Sequence, residues 1–382
     1  MTDTTTPSRP SSRPSGPSRP DSRPFRLAIN TGGGDAPGLN AVIRAVVLAA
    51  LNRGWEVYGI QRGYEGLYEE DGLTPMTRAT VEGIAHLGGT ILGTTNRGNP
   101  LSWPRTLPDG TVERVDRSAE LIEAFKGRGL DALVAIGGDG SLRIASELWK
   151  KGLPVVGVPK TIDNDLAATQ VTFGFHTAVQ TASDAIDKLH STAQAHSRVM
   201  VVELMGRHTG WIALFAGLAG SADAILIPEI PFELQEVCRH LEDRYERGPR
   251  YGIVVVAEGA RARDGEASVV DTPSGDSQRY GGIGQEVAAE IGRRTGFETR
   301  SLVLGHLQRG GQPTAYDRVL SLRFGTAAVD LVAAGNFGSM VALQPPDVRA
   351  VPLAEAVEKI KEVPVEGDTV ITARRLGISF GG

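Results

Sequence analysis

The chain has 382 residues, 41% hydrophobic and 22% charged, with 45 acidic side chains against 40 lysines and arginines and a net charge of -5. That length asks for two domains or one large α/β unit, and the acidic balance excludes a general attraction to nucleic acid or anionic membrane, so any phosphate binding must be local. A single cysteine, Cys238, excludes an intrachain disulfide and a multi-cysteine zinc cluster, and no apolar run is long enough to cross a bilayer, so a cytoplasmic protein is expected.

Residues 1–24 are Ser, Thr, Pro and Arg with almost nothing apolar; they cannot offset the entropy of ordering and are expected to be a disordered tail without the apolar core of a secretory signal. From Phe25 onward, β-branched runs alternate with amphipathic ones. LAINT (27–31) reads as a strand, LNAVIRAVVLAAL (39–51) as a helix, ALVAIG (132–137) as a strand, SLRIASELWK (141–150) as a helix and VVGVP (155–159) as a strand. FHTAVQTASDAIDKL (175–189) predicts a helix, and RVMVVELM (198–205), ADAILIP (222–228), YGIVVVAEG (251–259) and SLVLGHL (301–307) predict further strands. Cys238 falls in a helical stretch, 233–244, as an ordinary packing residue, and Arg261 to Gly284 reads as a loop. The alternation is that of βαβ units around a parallel sheet, and strands this uniformly apolar imply burial on both faces.

Ligands of open parallel sheets bind beyond the carboxyl ends of the strands, and glycines crowd there. GGGDAPG (32–38) follows the first strand. It breaks the dinucleotide fingerprint at Pro37 and the Walker A motif at Leu39 and Asn40, leaving a glycine turn into a helix N-terminus, which suits an anion or a plain tight turn. GGDGS (137–141) repeats the device with an acid inside it: Asp139 makes sense as a direct or water-mediated holder of Mg²⁺, while Gly138, Gly140 and Ser141 admit the phosphate. PKTIDND (159–165) ends the next strand, so its carboxylates should share that crevice. Asp163 is the candidate base for a substrate hydroxyl, Asp165 can orient it or a cation-bound water, and Lys160 and Thr161 can reach phosphate oxygens. Arg198, MGRHTG (205–210) with Arg207, Arg300, and GHLQRGG (305–311) with His306 and Arg309 set cations at other strand ends, and Glu258 follows a further strand. Together they suggest a second phosphate pocket able to hold a sugar phosphate.

GGDAPG, GGDGS, PKTIDND, MGRHTG and GHLQRGG, in this order and continued by PTAYDR, resemble the 6-phosphofructokinase family from about Arg26 to at least Tyr316. The resemblance implies two Rossmann-like three-layer parallel-sheet domains, with residues 25–174 plus 308–358 handling the phosphoryl donor and 175–307 plus 359–382 the fructose 6-phosphate. It implies Mg²⁺-dependent phosphoryl transfer with Asp163 as base flanked by Thr161 and Asp165, Lys160 and Arg207 assisting. Donor contacts would come from Gly34, Gly138, Asp139, Gly140, Ser141 and Arg97. Sugar-phosphate contacts would come from Met205, Gly206, Arg207, Glu258, His306 and Arg309, with Arg198 and Arg300 lent across a subunit interface, so a homotetramer or homodimer is expected.

The donor follows from two residues that pull apart. Gly140 leaves room for the remainder of ATP, where many pyrophosphate enzymes carry aspartate; Lys160 replaces a glycine of the common bacterial ATP enzymes and is shared by both groups. ATP is expected, with pyrophosphate as the alternative. Arg44 matches one cation of the familiar bacterial effector pocket, but Leu48 and Asp71 stand where two arginines would align, so weak or absent phosphoenolpyruvate or ADP control is expected. NAD and lipid kinases share a GGDGS-like loop without the other motifs, and a non-catalytic sugar-phosphate sensor would be free to lose Asp163, Asp139 or Arg207.

Overall fold

A computed structural model describes residues 23–95, 98–263, 269–270 and 279–382. The first half opens with Arg26–Thr31 (β1), Leu39–Asn52 (α1), Glu56–Ile60 (β2) and Leu73–Pro75 (β3). A two-stranded hairpin, Trp103–Thr106 (β4) with Val112–Val115 (β5), precedes Ser118–Gly127 (α2), Ala132–Gly137 (β6), Asp139–Lys150 (α3), Val155–Thr161 (β7) and the short Phe173–Gly174 (β8). Then follow Phe175–Ala195 (α4), Val199–Leu204 (β9), Trp211–Ala219 (α5), Ala224–Leu226 (β10), Leu234–Glu246 (α6) and Gly252–Ala257 (β11). Val269–Val270 (β12) pairs with Arg279–Tyr280 (β13) ahead of Ile283–Thr295 (α7) and Thr299–Val303 (β14). The chain closes with Ala315–Ala333 (α8), Ser339–Gln344 (β15), Asp347–Pro352 (β16), Leu353–Ala356 (α9) and Asp368–Arg375 (α10).

Two sheets result. The larger runs β16-β15-β7-β6-β1-β2-β3 with β8 paired to β7, and the smaller runs β10-β11-β9-β14. The strands of both are parallel except for the outer pairs β2 with β3 and β15 with β16 of the larger, and β4 with β5 and β12 with β13 form separate two-stranded antiparallel sheets. β6, β7, β9 and β11 are buried along their whole length, as their unbroken apolar runs require once helices cover both faces. α1 and α8 pack on one face of the larger sheet through Val42, Val46, Phe324 and Val329, and α3 lies on the other with Leu142 and Leu148. Each such side chain contributes about 1.5–3 kcal/mol by leaving water. The C-terminal segment crosses to the smaller sheet, where Val370, Ala373, Ile378 and Phe380 join the core beneath α5.

Two expectations are revised. SLVLGHL is not one strand: β14 ends at Val303, and Gly305, at φ 48°, turns the chain into a 3-10 helix over Gly305–Arg309. β14 is an edge strand with β9 as its neighbour; Arg300, Ser301 and Val303 are exposed and Thr299 and Leu302 half-buried, so little burial extends the strand past Val303. The stretch 261–284 is not all loop, since it contains β12, β13 and the start of α7; its residues 264–268 and 271–278 lie outside the described residues, as does the whole of 1–22.

Candidate active site

β1, β6 and β7 lie side by side and parallel, so their carboxyl ends, carrying GGGDAPG, GGDGS and PKTIDND, converge on one crevice. The glycines permit the approach. A Cβ on Gly32 would stand 2.8 Å from Ser141 Oγ, and one on Gly137 would stand 2.3 Å from Ser141 Cβ, so the hydroxyl can wedge between the two loops only because both positions lack side chains. α3 begins at Asp139 with no side-chain cap, leaving its first N–H groups pointing into the crevice as anion donors. Asp139 pairs with Arg143 at 3.0 Å across one turn.

Lys160 is buried at the end of β7, and its ammonium donates to the carbonyl of Gly34, so one lysine ties β7 to the first glycine loop. Burial, then the Arg309 cation, pull its pKa down to about 8 against the attraction of Asp163, Asp35 and Asp165. Arg309 comes from the 3-10 helix and donates to the Asp35 carbonyl at 3.2 Å, placing a second cation against the same loop.

The turn after β7 sorts its polar residues by task. Thr161 Oγ1 accepts from the Asp163 N–H at 3.1 Å, and the Thr172 hydroxyl bonds the Thr161 carbonyl at 2.7 Å. Asn164 takes a left-handed conformation, φ 52°, and spends its amide oxygen on the Thr172 N–H at 3.2 Å and Lys361 at 2.8 Å. The amide is therefore a latch, and the two acids beside it face the cleft. Asp163 Oδ1 and Asp165 Oδ1 are both inaccessible to solvent and have no hydrogen-bond partner among the described residues. Burial raises the Asp163 carboxyl, opposed by Arg309 and Lys160; burial and then the Asp163 charge push Asp165 up to about 6.

On the far side, Gly206 at φ 142° lets MGRHTG fold back so that the Thr209 hydroxyl reaches the Asp163 carbonyl at 3.2 Å and Gly259 N–H bonds the Gly206 carbonyl at 3.1 Å. Met205 is buried at that strand end. Glu258, one residue beyond β11, has its carboxyl pushed up to about 7 by burial and by Asp163, which places it near the same acid. Thus Gly34, Gly138, Asp139, Gly140, Ser141, Lys160, Thr161, Asp163, Asp165, Glu258 and Arg309 gather around one cleft, with Gly206 and Thr209 coupled to it. Arg198 and Arg300 do not join them: both pair with Glu298, at 3.1 and 2.8 Å, beside the exposed edge strand β14. His306 is exposed on the 3-10 helix, and Arg97, with Asn96, lies outside the described residues.

Beyond Gly140 a cavity of about 920 Å³ opens along α3, from Gly33 and Ser141 past Ile144 and Glu147 to Glu355 and Glu358. A Cβ placed on Gly140 meets nothing within 4 Å. Sequence reasoning did not find Thr209, although its motif was singled out, nor Lys361 or the Glu355 and Glu358 end of the cavity, which lie outside any glycine-marked strand end.

A parallel-sheet cleft with glycine loops, a helix N-terminus, a buried lysine near an arginine, and two acids each with one buried, unpartnered oxygen defines a phosphotransferase acting on an alcohol. The phosphofructokinase profile matches residues 26–332, and the chain belongs to that family. It is 53% identical over 356 residues to the ATP-dependent 6-phosphofructokinase of Chloroflexus aggregans, covering 93% of this chain and 98% of that one. It is 52% identical over 347 residues to the pyrophosphate–fructose 6-phosphate 1-phosphotransferase of Amycolatopsis methanolica, covering 90% of this chain and 97% of that one. Among solved structures, Pichia pastoris phosphofructokinase in the T-state superposes with a TM-score of 0.76 at 31% identity, covering 94% of this chain, which spans 38% of the larger one.

Proposed function

We propose that this kinase transfers the terminal phosphoryl group of ATP to the 1-hydroxyl of fructose 6-phosphate, giving fructose 1,6-bisphosphate and ADP. The observation that carries the choice of donor is the open space at Gly140, which leads from the phosphate loops into a cavity far larger than a diphosphate requires. Asp163 takes the hydroxyl proton; the freed oxygen bonds to the terminal phosphorus as the bridging P–O bond breaks and ADP leaves. Burial that raises the Asp163 carboxyl makes it a stronger base, and Lys160, Arg207 and the N-terminus of α3 oppose the charge on the transferring group. Thr161 holds the Asp163 backbone, and Asp165 orients the pair.

Magnesium suits the same cleft. The unpartnered buried oxygens of Asp163 and Asp165 leave the crevice short of positive charge, and hard carboxylate donors match a hard cation that takes only one or two of them beside phosphate. Asp139 would hold it directly or through water, with Asp165 behind; when bound it neutralises the donor's phosphate oxygens.

The acceptor is read as lying between Met205, Gly206, Arg207, Glu258, His306 and Arg309, with Arg198 and Arg300 serving a second copy in a homodimer or homotetramer. Residues 25–174 plus 308–358 form the donor domain and 175–307 plus 359–382 the sugar domain. What supports this division is that the larger sheet takes its strands from 26–174 and 339–352 and the smaller from 199–303. The presence of Asp163, Asp139 and Arg207 together favours catalysis over a sensor role. Among the described residues no helix is long and apolar enough to cross a membrane, in keeping with a cytoplasmic site of action.

Pyrophosphate is the second reading, favoured by Lys160, whose ammonium sits between the loops where a terminal phosphate of either donor would lie. The test is formation of fructose 1,6-bisphosphate from fructose 6-phosphate and Mg²⁺ with each donor alone. Turnover with ATP alone is expected; turnover with pyrophosphate alone would transfer the donor choice from Gly140 to Lys160.

A further inference from the structure

Lys361 belongs to no motif, lies in the connection between α9 and α10, and yet reaches the turn that carries the acids. Its ammonium donates to Asn164 Oδ1 at 2.8 Å and to the carbonyls of Thr169 and Gln170 at 3.0 Å each, using all three of its donors. Its backbone N–H bonds the Asp165 carbonyl at 2.8 Å, and the neighbouring Ile360 bridges to Leu166. On the other side, the Lys361 carbonyl accepts from Trp211 Nε1 at 2.8 Å, and Val363 N–H bonds Glu229 at 2.9 Å. Glu229 in turn receives the Gly210 N–H, the last residue of MGRHTG, at 3.0 Å. One short segment thus holds the turn of the acid pair and the loop of Arg207 in a fixed relation.

We propose that Lys361 is a positioning residue for phosphoryl transfer, fixing the Asn164 amide and with it the left-handed turn that aims Asp163 and Asp165 into the cleft. The proposal rests on the reading of Asp163 as base. A lysine that merely decorated a surface would be solvated; this one meets three acceptors and none of them is a carboxylate, so its role is to hold backbone and amide. Its charge also faces Asp165 from the C-terminal segment. Asp163 faces Asp165 from the same turn, Asp139 from α3 and His208 from the MGRHTG loop, while Lys160 and Arg309 act on Asp163. Burial lowers Lys361 to about 8 against the pull of Asp165, so it is cationic at neutral pH.

The experiment compares the full-length enzyme with Lys361→Met and Asn164→Gly; glycine deletes the acceptor while tolerating the left-handed turn. In Lys361→Met, kcat should fall by about 10²-fold, the cost of a misplaced reacting group, with KM for fructose 6-phosphate within about twofold. Asn164→Gly should lose kcat similarly, and the double variant should be no worse than the poorer single one. Hydrogen exchange at 163–166 should accelerate in both. Unchanged kcat, additive losses, or a loss that follows the unfolded fraction would overturn the clamp, as would a rise in KM for fructose 6-phosphate that accounts for the whole loss. If Lys361→Met does not fold, wild-type turnover in Asn164→Gly overturns it equally. A wild type inactive on fructose 6-phosphate would count against the base assignment instead; the exchange measurement needs no turnover and judges the clamp separately.

Discussion

The donor side and the acceptor side of the cleft are built differently. The side read as taking the donor is drawn together within one chain: three adjacent parallel strands present their loops together, Ser141 wedges between two glycines, and Lys160 closes the gap to Gly34. The side read as taking the acceptor is looser. Glu258 and Arg309 stand at the cleft, but Arg198 and Arg300 turn to Glu298, the residue just before the exposed edge strand β14. Backbone N–H groups of loops and helices, which cannot leave their fold, can be preorganised for phosphate by local chain geometry alone, whereas long arginine side chains need something to hold them. A second copy seated on β14 is the proposed holder.

The largest effect should come from the residue both sides share. Asp163→Ser removes the base and should lower kcat on the order of 10³-fold while fructose 6-phosphate binding, read by calorimetry, persists; near-normal turnover would free Asp163 from that role. Next, Gly140→Asp probes the donor side alone. The new side chain enters open space, so folding should survive, but its charge meets the donor's phosphates, and kcat/KM for ATP should drop by about 10²-fold or more. Retained ATP use would mean that the cavity along α3 is not the nucleotide's path.

The acceptor side is then tested by Arg300→Ala, expected to raise KM for fructose 6-phosphate by about 10- to 100-fold, the worth of a charged hydrogen bond. If the arginine serves a neighbouring copy, mixing Arg300→Ala with Asp163→Ser protein and reassembling the oligomer should restore part of the activity that each lacks alone. No recovery would place the arginine in its own chain's site.

The smallest effect concerns stability. Asp165 is protonated more readily when folded, with its carboxyl at about 6 instead of its ordinary 3.8. The folded state therefore binds the extra proton between those values, stability falls as pH rises through that window, and the penalty is fully present above it. Asp165→Asn should accordingly stabilise the ligand-free protein by roughly 2 kcal/mol at pH 8, with the gain fading by pH 4, as melting curves at both pH values would read. A destabilised variant would mean that the hydrogen bonds of Asp165, that with Thr161 among them, outweigh the cost of its burial.

Much of this was legible along the chain, and for a local reason. β6 is ALVAIG from end to end, and the helices at 39 and 175 begin where the periodicity starts, because burial on both faces of a parallel sheet writes unbroken apolar runs and helix faces write a period near four. The hairpin β4 and β5, the edge strand β16 and the short α9 were not anticipated; each is short or half exposed, and its pattern is set by which neighbour it meets. The buried β15 and the long α8 were not anticipated either. Asn164 stands between the two acids in PKTIDND, and only its bonds to Thr172 and Lys361 separate the latch from the acids it positions.

By itself the sequence determined the parallel α/β architecture, the family and the crevice residues contributed by strand ends, because each is a property of a few consecutive residues: apolar runs, glycine turns, acids at a fixed offset. The tertiary structure alone decided what depends on distance across the chain. It set Lys160 against Gly34, Arg309 against Asp35, and Lys361 against a turn 197 residues earlier. It also decided the open ground beyond Gly140, since empty space is a property of everything that surrounds a residue and is written in no residue of its own.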